Sequence, residues 1–259
     1  MTWSPLNLTG ICGFWRADMG VTRSSGNVTA WADQTANGLT MTNVAGTGPT
    51  WSATAFNGAY PGVDFGSGGG SSTNYLQTVN NADIASSKSL SLWLLWYARS
   101  NVTGRLMAQC PQGSGNDYVA PNCMVYCDGG AGSAAGIGPY VSSTGGNAST
   151  FTLATTPAYV LGIFTWNGID NVAYDAAVEA TPVGVTDTLG GSGQAISFGS
   201  PSSGVADMIV AAGGLCSNYA MNTTSDIPNL ITWCNTTFGT SFSGGAVSVP
   251  LMPSNLIFM

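Results

Sequence analysis

The chain has 259 residues, of which 44% are hydrophobic and only 7% charged, and it contains 36 glycines. A soluble domain usually carries about 25% charged residues and about 7% glycine, and helices draw on Glu, Lys and Arg for their exposed faces. With Glu179 as the single glutamate and Lys88 as the single lysine, a helical bundle is excluded. The net charge of −7, with five cations (Arg16, Arg23, Lys88, Arg99, Arg105), excludes a basic surface for nucleic acid or an anionic membrane.

A chain of this length can form one large β-domain with a substantial core. Its longest apolar run, residues 90–97, is far short of the roughly 20 residues that span a bilayer. Residues 1–7 show neither a basic region nor an apolar stretch, so they do not read as a secretory signal. The expectation is folding in a host cytoplasm, or removal of a signal beforehand.

In chain order, Gly13-Phe14-Trp15-Arg16-Ala17-Asp18 predicts a first strand. A Ser24-Ser25-Gly26-Asn27 turn follows, then a second strand ending Trp31-Ala32-Asp33 and a turn at Asn37-Gly38. Pro49-Thr50-Trp51, Tyr60-Pro61-Gly62-Val63-Asp64-Phe65 and Tyr75-Leu76 supply further strands around a Gly/Ser loop at 66–72. That loop lacks the Lys and the following helix of a phosphate-binding loop, and it reads as a connection.

In the middle, Leu90, Leu92, Leu94 and Trp96 alternate with Trp93, Leu95 and Tyr97, so both faces are apolar and a central strand is predicted. Residues 159–166 lead into Asn167-Gly168, and Val172, Tyr174, Ala176 and Val178 then alternate with Asn171, Asp175 and Glu179. That pattern predicts a hairpin with a half-buried second strand. Further strands fall at 196–199 and 205–211. The one helix opens at residues 224–228, with Ser225 or Asp226 as cap and Pro228 in the first turn. Ile227, Leu230, Ile231 and Cys234 share a face, and Gly239 stops it.

The order of these segments resembles the concanavalin A-like jelly rolls of the LamG or pentraxin type found in phage and bacterial surface proteins. The resemblance rests on Trp15-x-x-Asp18, on Trp31-x-Asp33-x-x-x-Asn37-Gly38, on Pro61-x-Val63-x-Phe65, and on the strand near Asp207 followed by a helix. It covers roughly residues 10–240, and Asp207 stands where that pattern has Glu. It implies an all-β, two-sheet antiparallel jelly-roll sandwich with one short C-terminal helix. Residues 1–240 would form the domain and 241–259 an apolar arm or extra strand.

The chain has no histidine, which removes the usual general base, the Ser-His-Asp arrangement and His-rich metal sites. Lys88 beside Ser86, Ser87 and Ser89 does not by itself make a catalytic dyad. Glycoside hydrolysis needs two carboxylates held about 5–10 Å apart, and the Glu-x-Asp-x-Glu strand of the superfamily's glucanases is missing. Asp170 and Asp175 are the remaining pair, and both read as turn residues. The resemblance makes calcium possible at the sandwich rim through Asp33, Asp64, Asp170 or Asn171, but no ligand set is assignable. Catalytic, cofactor and metal residues are therefore left unassigned, and no enzyme is expected.

The six cysteines (Cys12, Cys110, Cys123, Cys127, Cys216, Cys234) read either as buried thiols or as three disulfides. Most of the eight tryptophans read as core. A surface this poor in charge predicts an occupied subunit. The expectation is a non-enzymatic structural protein on the outside of a bacteriophage particle, a capsid decoration or fibre component. It would contact other virion subunits and copies of itself, with a trimer by analogy, and neither nucleic acid nor the membrane interior. The alternative is a glycan-binding module for host surface polysaccharide.

Overall fold

The computed structural model describes residues 3–44, 46–66, 74–84, 89–100, 103–113, 123–128, 135–140, 149–153, 156–184, 194–199 and 204–244. The first strands are β1 (Ile11–Arg16), β2 (Val21–Ser24), β3 (Asn27–Trp31), β4 (Met41–Asn43), β5 (Thr50–Phe56), β6 (Tyr60–Asp64) and β7 (Leu76–Gln77). Next come β8 (Leu90–Ala98), β9 (Gly104–Cys110), β10 (Cys123–Asp128), β11 (Ala135–Tyr140) and β12 (Phe151–Leu153). The last are β13 (Ala158–Trp166), β14 (Asp170–Asp175), β15 (Val178–Glu179), β16 (Val183–Gly184), β17 (Ala195–Phe198) and β18 (Met208–Ser217), before the helix α1 (Asp226–Phe238).

The strand ladders are antiparallel and form one open sheet that folds over into two layers. One layer runs β14-β13-β8-β18, with β1 and β6 both on the far side of β18. The other runs β3-β4-β7-β17-β9-β10-β11. The corner is at Thr50, which pairs with both Asp64 and Asn27.

The alternation in β8 decides what lies on each side of its layer. Leu90, Leu92, Leu94 and Trp96 point between the layers and meet Trp15, Trp31, Met107, Val125, Phe198 and others in the main core. Trp93 and Leu95 point outward, where α1 covers them. Nine residues of β8 pair in unbroken register with β13, and the other edge pairs with β18, so β8 is central as its sequence predicts. Burying a large apolar side chain is worth roughly 1.5–3 kcal/mol, and a two-faced strand collects this on both of its faces.

Consecutive glycines on β18 serve both faces. A Cβ at Gly214 would lie 2.5 Å from Trp93 Nε1, and one at Gly213 would lie 2.7 Å from Phe198 Cζ. The two rings rest on bare backbone, one in each core.

The Trp31-x-Asp33 motif has a concrete role. Asp33 Oδ1 accepts from the amides of Phe14 and Thr35, and Oδ2 accepts from the Leu39 amide and the Thr35 hydroxyl. One carboxylate therefore holds the loop from 33 to 39 against β1.

Helix α1 lies with Ile227, Leu230, Ile231 and Cys234 on the sheet, and Gly239 ends it in the left-handed conformation at φ 62°. Its start departs from expectation. Neither Ser225 nor Asp226 caps through its own side chain; Asn222 Oδ1 accepts from the Ser225 amide at 2.8 Å and the Asp226 amide at 3.3 Å. Asp226 instead receives the Tyr219 hydroxyl and the Asn222 amide. Thr240, Ser241 and Phe242 fold back beneath the helix end, where Asn235 Oδ1 accepts from the Phe242 amide at 2.9 Å.

The second strand of the 159–179 hairpin also differs. It stops at Asp175, because Ala176 turns at φ 50° and Val178–Glu179 doubles back on it. It is buried on both faces rather than one, since Asn171 is sealed by the Ser149 amide on its Oδ1 at 3.0 Å. Residues 67–73, 85–88 and 245–259 lie outside the described residues, and with them most of the Gly/Ser loop, Lys88, and all but the first four residues of the expected arm.

Candidate functional site

The outer face of α1 is read by helical spacing. Asn229, Thr232, Trp233, Thr236 and Thr237 recur at i, i+3, i+4, i+7 and i+8, which places them on one stripe facing away from the sheet. Trp233 stands at the border of this stripe and the apolar face. Its ring is only 7% exposed and is met edge-on by Phe14, Trp93 and Phe238 at centroid distances of 5.6, 6.0 and 5.4 Å. Three perpendicular rings fix its orientation.

A second indole comes from the other end of the chain. The 3-10 turn Pro5–Asn7, with Pro5 buried and the Asn7 amide donating to Ser4 O at 2.8 Å, delivers Trp3 and Ser4 against the stripe. Trp3 is half-buried and packs on the same outer core. Between Trp3 and α1 lies a cleft of about 310 Å³, lined otherwise by Ser4 and the helix stripe. That size is at the lower end of ligand pockets. Arg16 stacks at 5.5 Å from the Trp233 ring centre and is engaged through Nε and Nη2 by Asp18.

A second concavity, of about 330 Å³, lies at the far end of the helix between Asn57, Tyr159 and residues 239–242. Tyr159 is 40% exposed there. The Asn57 side-chain amide there already donates through Nδ2 to Gly239 O at 3.1 Å and closes the helix end. The Trp3–Trp233 cleft is accordingly the candidate site.

The carboxylates considered in the sequence do not converge. Asp170 and Asp175 stand at opposite ends of β14, five residues and thus about 17 Å apart on opposite faces. Burial pushes the Asp175 carboxyl above its ordinary value, but Asp170 is not its partner. Glu179 is exposed on β15. Of the calcium candidates, Asp33 is occupied by its loop, and Asn171 is buried at Ser149. Asp64 receives both Nη1 and Nη2 of Arg99 at 2.8 Å. Among the described residues no group of three or more acidic or cysteine side chains could hold a metal.

None of the six cysteines forms a disulfide, and all are buried. Burial pushes the thiols of Cys216 and Cys234 far above their ordinary range.

Neither a protein-family model nor a curated protein matches the sequence. Solved structures match the fold. Trypanosoma rangeli sialidase superposes with a TM-score of 0.60 at 13% identity, covering 91% of this chain and 34% of that one. Domain 4 of AbnA, a GH43 extracellular arabinanase from Geobacillus stearothermophilus, solved in complex with arabinotriose, gives 0.56 at 12% identity over 84% of this chain and 97% of that domain. A GH54 α-L-arabinofuranosidase gives 0.55 at 15% identity, over 79% of this chain and 50% of that one. The chain thus spans about a third of the sialidase, half of the arabinofuranosidase and nearly all of the arabinanase domain.

These likenesses correct two expectations. The chain was expected to be a virion decoration or fibre subunit, but the folds it is similar to belong to carbohydrate-active proteins and carry no link to a phage particle. Low surface charge underlay that expectation. An enzyme was not expected, yet the neighbours are glycoside hydrolases or a domain of one. Glycoside hydrolysis runs on carboxylates rather than imidazole, so a chain without histidine is not outside that chemistry.

Trp3, Asn229, Trp233 and Thr236 are absent from the sequence-derived candidates. The helical stripe was available as a signal, since Trp233 breaks an otherwise polar face. Nothing in the sequence joins it to Trp3.

Proposed function

We propose that this β-sandwich is a glycan-engaging unit, of concanavalin A-like type, in a carbohydrate-active protein, and that the Trp3–Trp233 cleft receives the sugar. The carrying observation is the cleft itself: it is lined by half-buried Trp3, by the Trp233 indole that three rings lock in place, and by hydroxyls and one amide. A sugar ring has an apolar C–H face and a rim of hydroxyls. Aromatic faces match the first and Asn, Ser and Thr the second. The fold likeness supports the reading, because the arabinanase domain, which this chain matches over nearly its whole extent, was solved with arabinotriose.

The test is NMR titration with a panel of arabino-, xylo-, gluco- and galacto-oligosaccharides and their acidic counterparts. The expected result is saturable shifts at the Trp3 and Trp233 indoles, with Kd near 1 mM or tighter, about −4 kcal/mol or more favourable. Trp3→Ala and Asn229→Ala should weaken this binding. A panel that leaves both indoles unmoved overturns the proposal.

A further inference from the structure

Resting on the cleft as the sugar site, we infer that the concavity at the C-terminal end of α1 is a second sugar subsite, so that one glycan chain is held by the cleft and by Tyr159 together. The two linings follow one another in the chain. Thr237 belongs to the cleft and Gly239 to the second concavity, and only Phe238 stands between them. Phe238 is 1% exposed, so its side chain raises no barrier at the surface.

Beneath that surface the rings of both hollows belong to one array. Trp233 meets Phe238, Phe238 meets Phe56, and Phe56 meets Tyr159, all edge-on, at centroid distances of 5.4, 6.0 and 5.1 Å. These contacts hold the Trp233 and Tyr159 rings within about 17 Å of each other. Tyr97 adds a tilted contact at 4.9 Å, so Tyr159 is pinned from two sides yet remains 40% exposed.

The wall at residues 240–242 is also held in place. Asn235 Oδ1 accepts from the Thr240 hydroxyl and the Phe242 amide, and Asn235 Nδ2 donates to Phe242 O, each at 2.9 Å. Asn57 Nδ2 fixes the neighbouring Gly239 carbonyl. The hollow thus presents an oriented tyrosine, half-buried Phe242 and the exposed Ser241, an apolar surface beside a hydroxyl, as a sugar ring requires. A wall fixed beforehand keeps the ordering cost of binding low. A single sugar occupies one hollow or the other, whereas a chain that reaches both makes its second contact intramolecularly. The arrangement therefore favours longer glycans.

The test is a length series, mono- to hexasaccharide, of arabino-, xylo-, gluco- and galacto-oligosaccharides, read by calorimetry and by NMR at the Trp3 indole and the Tyr159 ring. Short members should move the Trp3 indole alone. Once a member is long enough to move Tyr159 as well, its affinity should rise about 3- to 10-fold, the worth of one added aromatic contact. Tyr159→Leu, which keeps apolar bulk beside Phe56, should remove that rise and leave short-chain affinity as it was. Tyr159→Phe, which keeps the ring, should retain the rise. Unchanged short-chain binding at the Trp3 indole also shows that each variant is folded.

Affinity that stays flat with length while the Trp3 indole responds overturns the second subsite and leaves the cleft standing. A rise with length that survives Tyr159→Leu overturns the role of Tyr159. Monosaccharide shifts at Tyr159 with no length dependence would make the hollow a separate site and overturn the shared track. If no sugar of any length moves either ring, the glycan reading itself falls and the subsite with it.

Discussion

Arg99, just beyond the end of β8, grips Asp64 on β6 with both terminal nitrogens at 2.8 Å. Its Nε also donates to Asp207 at 2.6 Å, and Asp207 takes the Ser100 hydroxyl at 2.8 Å. Burial works against the guanidinium charge, but the two carboxylates outweigh it and raise its pKa. The clamp ties three segments together where the sheet begins to fold over. Exposed pairs contribute about 0–1 kcal/mol, and breaking a buried pair costs about 3–5. For this half-buried bidentate group, Arg99→Ala should cost about 1–3 kcal/mol, lowering Tm by roughly 3–10 °C. Scanning calorimetry checks it, and a loss below one degree would mark the clamp as ornamental.

The Tyr219 hydroxyl donates to Asp226 at 2.6 Å at the start of α1. This hydrogen bond, then burial and the Asp226 charge, raise the Tyr219 pKa above 10.0. The folded state therefore holds the phenolic proton more tightly than the unfolded one. The stabilisation is fully present below pH 10 and is lost as pH rises through the folded value. Tyr219→Phe should cost about 1 kcal/mol at neutral pH and flatten the alkaline fall in stability. Melts of both proteins across the alkaline range decide it, and parallel curves would refute it.

How much was legible depended on whether a residue's role was local. The double alternation of β8 was readable because burial on two faces leaves apolar residues on both, Ser91 apart, and the α1 face was readable because helical spacing is periodic. The cap was misassigned because Asn222 reaches in from outside the helix, where Ser225 and Asp226 look sufficient by themselves. The end of β14 was missed because Ala176 at φ 50° carries no turn residue's signature. The cleft was illegible for a different reason. Trp3 and Trp233 are separated by nearly the whole chain, and only the sheet that seats both brings them together.

The buried thiols give a chemical prediction. Thiolate is the reactive form, and burial keeps Cys216 and Cys234 protonated. With all six cysteines buried and no disulfide formed, the native protein near pH 8 should resist thiol reagents. Unfolding in denaturant, without any reductant, should then release six reactive groups. Mass spectrometry after alkylation reads both states. Fewer than six labels in the unfolded, unreduced chain would reveal disulfides and refute the prediction.

The two tryptophans of the cleft should separate when each is removed. Trp233 is 7% exposed and wedged among three rings, so Trp233→Ala leaves a void in the outer core and should cost roughly 3–5 kcal/mol. That is a fall in Tm of about 6–20 °C, enough to make binding measurements on this variant ambiguous. Trp3 is only half-buried and tethered by one short turn, so Trp3→Ala should cost less than about 1.5 kcal/mol while removing one wall of the cleft. Paired calorimetry and glycan titration of the two variants give the result. A stable Trp3→Ala protein that no longer binds sugar assigns Trp3 to recognition. A Trp3→Ala protein as unstable as Trp233→Ala would mean that both indoles belong to the core and that the cleft has no wall to lose.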